Sequence, residues 1–222
     1  MTGQLTFELP LVQGWQRDAF LVTPATSAAI GAIDGWATWV GGRLLLIGPQ
    51  GSGKTHLAHI WAEMAQAMWV NVADLQSRLP YIAADACIIL DDAHLVTGRA
   101  EESLFHLYNR LTAQGRLLLT APTAPRDWGL CLPDLLSRLQ AVPIARLEPP
   151  DDDLLAGVLL KLFTDRQIIA DARLIPYLLP RMERSIAAAQ ALVAALDARS
   201  LATHRPVTRA LAAEVLDTTA PE

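Results

Sequence analysis

Gly48-Pro49-Gln50-Gly51-Ser52-Gly53-Lys54-Thr55 fills every fixed position of the phosphate-loop pattern G-x-x-x-x-G-K-[ST]. Each part has a physical task. The glycines let the backbone curl until several N–H groups point at one anion. Lys54 brings a cation to the outer phosphates, and Thr55 brings a hydroxyl to a magnesium ion. A helix starting there adds its positive end. Its surroundings agree with this reading. Leu44 to Ile47 form an apolar run that predicts a buried strand, and Leu57, Ile60, Trp61 and Met64 recur at helical spacing.

Outward from the loop, Cys87-Ile88-Ile89-Leu90 predicts a second buried strand, closed by Asp91 and Asp92. In phosphate-loop ATPases the first acid of such a pair holds magnesium, and its neighbour orients or deprotonates the attacking water. Two acids at a strand end also serve as a turn or a helix cap. Asp92 is one methylene shorter than glutamate, which limits its reach to a water. Thr120 ends the next strand, where its hydroxyl can meet a terminal phosphate or simply reflect strand composition. Arg138 suits neutralisation of a transition-state phosphate, or an ion pair with Asp134 four residues back. Arg184 opens a later helix, facing the nucleotide or solvent.

Strand patterns at 44–47, 68–72, 87–90, 116–120 and 142–147 alternate with helical ones, which predicts an α/β fold with a parallel sheet covered on both faces. Pro143 marks the last of these strands as a sheet edge. Thr26 or Ser27 can cap the first helix, which ends near Gly35. A helix is expected over 101–113, stopped by Gly115. After Pro149-Pro150 only helical patterns appear, near 151–162, 172–179, 185–202 and 208–216. The expected division is a tail at 1–12, a nucleotide-binding α/β domain at 13–150 and a helical lid domain at 151–222.

An apolar fraction of 52% against 18% charged residues excludes a disordered chain. No apolar run approaches the ~20 residues of a membrane span, and the N-terminus has no secretory-signal pattern. A cytoplasmic protein without membrane contact is expected. The net charge of −5 argues against non-specific nucleic-acid binding. Cys87 and Cys131 read as two buried thiols. His56 and His59 lack the further ligands of a zinc site. In the first ten residues, Gln4, Leu5, Phe7 and Leu9 form an apolar stretch that either packs on its own domain or fills a partner's groove.

Taken together, these motifs resemble the AAA+ ATPases, and more narrowly the bacterial replication initiator DnaA. The resemblance rests on Gly53-Lys54-Thr55-His56-Leu57, Ile89-Leu90-Asp91-Asp92, Leu104-Phe105-His106-Leu107-Tyr108-Asn109 and Leu132-Pro133-Asp134-Leu135-Leu136-Ser137-Arg138-Leu139. It covers roughly residues 18 to 217. It implies bound ADP or ATP with magnesium, held by the loop and His56. It implies an AAA+ fold with a helical lid, Phe20, Leu21 and Val22 near the adenine, and Thr120 as first sensor. Arg138 becomes the arginine finger and Arg184 the lid's sensor arginine. Ala121-Pro122-Thr123 departs from the family's polar residues after that sensor. DnaA continues into a helix-turn-helix domain, whereas this sequence ends at Glu222. Gln4-Leu5-Thr6-Phe7-Glu8-Leu9 is similar to the motif that docks on the DNA polymerase sliding clamp. The combination resembles the DnaA-related Hda family, which implies the clamp and DnaA as partners, indirect DNA contact, a possible homo-oligomer, and weak intrinsic ATPase activity. An independent AAA+ ATPase or helicase loader on single-stranded DNA is the alternative.

Overall fold

The computed structural model describes residues 23–171 and 173–219, so Gln4, Leu5, Phe7, Leu9, Phe20, Leu21 and Val22 lie outside the described residues. In chain order the main elements are α1 (Pro24–Asp34), β1 (Arg43–Ile47), α2 (Lys54–Ala65), β2 (Met68–Val70), α3 (Leu75–Arg78), β3 (Cys87–Leu90), α4 (Arg99–Arg110), β4 (Arg116–Ala121), α5 (Pro133–Gln140) and β5 (Ile144–Arg146). Helices follow alone: α6 (Asp152–Asp165), α7 (Leu174–Leu178), α8 (Ile186–Thr203) and α9 (Arg209–Thr219).

The strands form one parallel sheet in the order β2-β3-β4-β1-β5. Side chains along a strand alternate between faces, and each face has its own core. Leu45, Ile47, Ile88, Leu90, Leu117 and Leu119 pack under α3, α4 and α5. Leu44, Leu46, Ile89 and Leu118 pack against Ile30, Ile33, Leu57 and Trp61 of α1 and α2. All five residues of β1 are buried, as a doubly covered strand requires. β5 lies at the sheet edge, where Pro143 just before it donates no ladder bond. A third core joins α6 to α9 through Leu159, Phe163, Leu174, Val193, Leu196 and Leu211. Among the described residues no helix is long and apolar enough to cross a membrane.

Three local expectations change. The cap of α1 is Thr23, not Thr26 or Ser27; Thr26 is its partner in a reciprocal capping box. Gly115 does not stop α4, which ends at Arg110. The reason lies 65 residues upstream. Arg43 is buried and donates to the carbonyls of Tyr108 and Leu111, each at 2.9 Å, so a side chain from β1 caps the last turn. It also donates to Gly41 O and lies 4.9 Å from the Tyr108 ring centroid. Burial lowers the Arg43 pKa from its ordinary value, so the structure bears a desolvation cost there that these acceptors offset. Nor are both cysteines buried. Cys87 is half-buried and Cys131 is exposed. The Cys131 sulfur stands in the turn before α5 while its N–H points inward to Glu101.

His59, on α2, lies 4.4 Å from the Trp69 ring of β2 with the planes tilted by 39°, and burial holds its pKa below the ordinary 6.5, against the opposing pull of Asp91 and Glu63. The unfolded chain therefore binds this proton at higher pH than the folded one. Stability is lost as pH falls from 6.5 through the lower folded value. His59→Phe keeps a ring against Trp69 and removes the titration. Thermal unfolding between about pH 7 and about pH 5 should show a shallower decline for the variant; parallel curves would assign the acid sensitivity elsewhere.

Candidate nucleotide site

The site forms at the C-terminal ends of β1, β4 and β3, the edge where parallel α/β sheets bind ligands. The strand order brings its parts together. Ile47 pairs with Ala121 and Leu46 with Thr120, while Leu90 pairs with Leu119. Thr120 therefore stands between the loop strand and the acid-ended strand.

The loop itself is built for backbone donors. Gly51 and Gly53 have φ of 73° and 98°, in the left-handed region that glycine enters without steric cost. A Cβ at Gly48 would lie 2.5 Å from Leu147 O, so the first fixed glycine is required by close packing. Ser52 is buried and its Oγ has no hydrogen-bond partner, an orphaned polar atom inside the cradle. Lys54 is buried at the start of α2, and its Nζ donates to Gly48 O and Pro49 O, both at 2.8 Å. Burial lowers its pKa; the charges of Asp92 and Asp91 work in the opposite direction. A half-desolvated ammonium held by its own loop is a strong partner for phosphate oxygens. The donor set fits a nucleotide's phosphates.

Asp91 is the hub of the polar groups. One carboxylate oxygen accepts from Thr55 Oγ1 at 3.1 Å, and the other accepts from Thr120 Oγ1. Thr120 is fully buried, and its hydroxyl accepts in turn from the Asp92 N–H at 3.0 Å. Hydroxyl and carboxylate at Thr55 and Asp91 are the oxygen donors that magnesium takes. From sequence, Thr120 can meet a terminal phosphate or simply reflect strand composition. The hydroxyl donates to Asp91 and accepts from the Asp92 N–H, which ties it to the acid-ended strand. Asp92 sits in a left-handed turn at φ 51°, with its carboxylate exposed and 3.9 Å from His94 Nδ1. It makes no side-chain cap for the 3-10 turn that follows.

The helical unit touches the loop directly. Ser185 caps α8 by accepting from the Ala188 N–H at 3.0 Å, and the Ile186 N–H donates to Gly51 O at 2.9 Å. The pocket between them is lined by Gly51, Gly53, Lys54, Thr55 and His56 on the loop side, and by Ile186, Ala187 and Gln190 on the lid side. Arg184 is not among these residues. It is exposed and pairs with Asp152 Oδ1 at 2.9 Å, at the start of α6. The sequence reading missed Ser185, Ile186 and Gln190; the signal available was a helix start at 185, without any hint of what it abuts.

Arg138 is exposed on α5, with its guanidinium 5.4 Å from the Phe105 centroid and 5.7 Å from that of Tyr108. Its expected alternative partner, Asp134, forms no ion pair with it. The other end of α5 is held by buried Glu101, which accepts the Cys131 and Leu132 N–H groups at 2.9 Å each. Glu101, Phe105 and Tyr108 follow at i, i+4 and i+7 on α4, so one face of that helix carries both ends of α5.

No protein-family model matches the chain. Solved structures do. Domain III of the Thermotoga maritima replication initiation protein DnaA aligns with a TM-score of 0.82 at 19% identity, over 94% of this chain and 98% of that one. AMPPCP-bound DnaA from Aquifex aeolicus aligns with a TM-score of 0.69 at 17% identity, over 82% and 64%. A Thermotoga maritima RuvB variant gives 0.69 at 17% identity, over 87% and 68%. At these identities the likeness shows the fold, which is a DnaA-like AAA+ architecture: a parallel sheet with helices on both faces, followed by a small helical lid.

Gly51→Ala tests the loop–lid contact. The new Cβ would stand 2.4 Å from Ser185 Cβ, at a φ that alanine avoids. Loss of about 1–3 kcal/mol is expected in denaturant unfolding, together with weaker binding of a fluorescent ADP analogue. Adding Ser185→Gly should recover part of the loss, because it removes the clash and leaves the backbone strain. An unchanged midpoint for Gly51→Ala would show that the lid does not press on the loop.

Proposed function

We propose that the chain is a nucleotide-bound AAA+ adaptor of the Hda type. It docks on the DNA polymerase sliding clamp through Gln4, Leu5, Phe7 and Leu9, stimulates ATP hydrolysis by DnaA, and so limits initiation of replication in the cytoplasm. The observation that carries this reading is the joining, in one chain, of a clamp-type glutamine-leucine-phenylalanine stretch to a DnaA-like AAA+ fold.

ADP or ATP binds the loop from Gly48 to Thr55. The loop N–H groups and Lys54 bind the phosphates. Thr55 and Asp91 hold magnesium, with Thr120 fixing the Asp91 carboxylate. His56 borders the phosphates, and Phe20, Leu21 and Val22 border the adenine. Binding of AMPPCP by DnaA neighbours of the same fold supports this ligand class. Own turnover is slow, because Asp92 is short and its carboxylate faces His94. Arg184 serves the lid as a pairing residue for Asp152 until the lid moves toward the nucleotide.

Hydrolysis is promoted in the partner. There a water attacks the γ-phosphorus and the bond to the β–γ bridging oxygen breaks. Arg138, exposed and stacked on Phe105 and Tyr108, neutralises the charge that grows on the phosphoryl oxygens. DnaA is that partner, and a second copy of this chain is the other neighbour such a finger can reach. An independent AAA+ ATPase is the second reading, favoured by the comparable likeness to RuvB.

The most direct test is retention of the full chain on immobilised sliding clamp. Gln4→Ala with Leu5→Ala should abolish retention while nucleotide binding stays intact; equal retention removes the reason to prefer an Hda-type adaptor. Arg138→Ala should keep both binding activities and lose the stimulation of DnaA by about a thousand-fold, the low end for an arginine finger. Phe105→Ala should lose part of that stimulation, and Phe105→Tyr should restore it, since either ring face holds a guanidinium. ATPase activity stimulated by single-stranded DNA alone would favour the second reading.

A further inference from the structure

Helix α8 begins against the phosphate loop, and its first N–H groups can be accounted for one by one. The Ser185 N–H donates to Glu183 O at 2.8 Å, and the Ile186 N–H donates to Gly51 O at 2.9 Å. The Ala188 N–H donates to Ser185 Oγ at 3.0 Å. The helix's own ladder opens with the Ala189 N–H, which donates to Ser185 O at 3.1 Å. That leaves the Ala187 N–H without a hydrogen-bond partner among the described residues. Ala187 is exposed and lines the pocket between loop and lid.

The opposite wall of that pocket is the start of α2, where Lys54, Thr55 and His56 line it. Two helix N-termini therefore face one pocket, and neither carries an acid in its first turn. No carboxylate there offsets their positive ends, which favour an anion. The loop supplies an independent sign of the same ligand. Ser52 is 2% exposed and its Oγ has no partner; a Cβ at Gly48 would stand 2.7 Å from it, so this hydroxyl is turned across the inside of the cradle. On the lid wall, Ile186, Ala187 and Gln190 bring no charged side chain. Arg184, to which the family resemblance gives the task of meeting the phosphates, pairs with Asp152 and is not among the residues lining the pocket.

We infer that the lid binds the phosphates of a nucleoside di- or triphosphate through the backbone N–H of Ala187, in the arrangement where Asp152 holds Arg184. The inference rests on the nucleotide reading of the loop. It departs from the family resemblance, because the lid's donor is a peptide group and not an arginine side chain. A phosphate oxygen that accepts from the Ala187 N–H also meets the positive end of α8, while other oxygens of the same chain take the N–H groups of α2. The ligand thereby bridges the two units that the bond from Ile186 to Gly51 already joins. The donor is preorganised, since the Ser185 cap and the Ile186 bond fix the backbone on either side of it.

The test is amide NMR of the full chain with ADP, with inorganic pyrophosphate and with adenosine. ADP and pyrophosphate should each move the Ala187 amide proton downfield, and adenosine should leave it in place. In a separate titration, Ala187→Glu should bind ADP about tenfold more weakly than Ala187→Gln, which has the same shape, because a carboxylate at that point opposes the phosphates. The Gly53 and Lys54 amides report the loop by itself. ADP shifts at those two with none at Ala187 would overturn this inference and leave the nucleotide reading standing; no ADP shift at any of the three would remove both. An adenosine shift at Ala187 equal to that of ADP, or equal ADP affinity in the Glu and Gln variants, would also overturn it.

Discussion

A buried cation at the root of β1 holds this structure together. Arg43 is placed where a guanidinium costs most, and it repays that cost only by accepting a fixed set of neighbours: two carbonyls at the end of α4, one from Gly41, and the face of Tyr108. The far end of the same strand runs into the phosphate loop. The first residue of β1 therefore sets α4, and its last sets the ligand cradle. Because α4 carries Glu101, Phe105 and Tyr108 along one face, it sets α5 and Arg138 in turn. A strand buried on both faces transmits this placement with little slack, since close-packed interiors deform poorly.

The polar side of the site follows a similar economy. Asp91 collects the hydroxyls of Thr55 and Thr120, and Thr120 collects the N–H of Asp92. Every donor in this short chain is spent on orienting one carboxylate. The Asp92 carboxylate is left outside it, exposed and 3.9 Å from His94 Nδ1. Arg138 lies exposed on α5, against the Phe105 and Tyr108 rings and without a carboxylate partner among the described residues.

Much of this was legible in the residues. The loop, the strand that feeds it, the acid-ended strand and the edge position of Pro143 follow from local pattern, because each is decided by neighbours in sequence. The sheet's two-faced burial also follows, from continuous apolar runs. What could not be read were the through-space caps. Arg43 ends α4 from 65 residues away, and Glu101 opens α5 from 30 residues away. Sequence offered Gly115 for the first of these, and proximity in the fold overrode it. The pairing of Arg184 with Asp152, 32 residues earlier, is likewise a partner that local pattern does not point to. Cys131 shows that apolar neighbours in sequence do not ensure burial when the backbone turns.

The contact between Gly51 and the cap of α8 has a mechanical meaning. α8 has 18 residues and so extends about 27 Å. It is pinned at one end to the carbonyl of a single loop peptide. A rod fixed at its tip behaves as a pointer. Over that length a tilt of about 5° at the pinned end would displace the far end by roughly 2 Å. A carbonyl of the phosphate loop thus meets the first turn of the longest helix described.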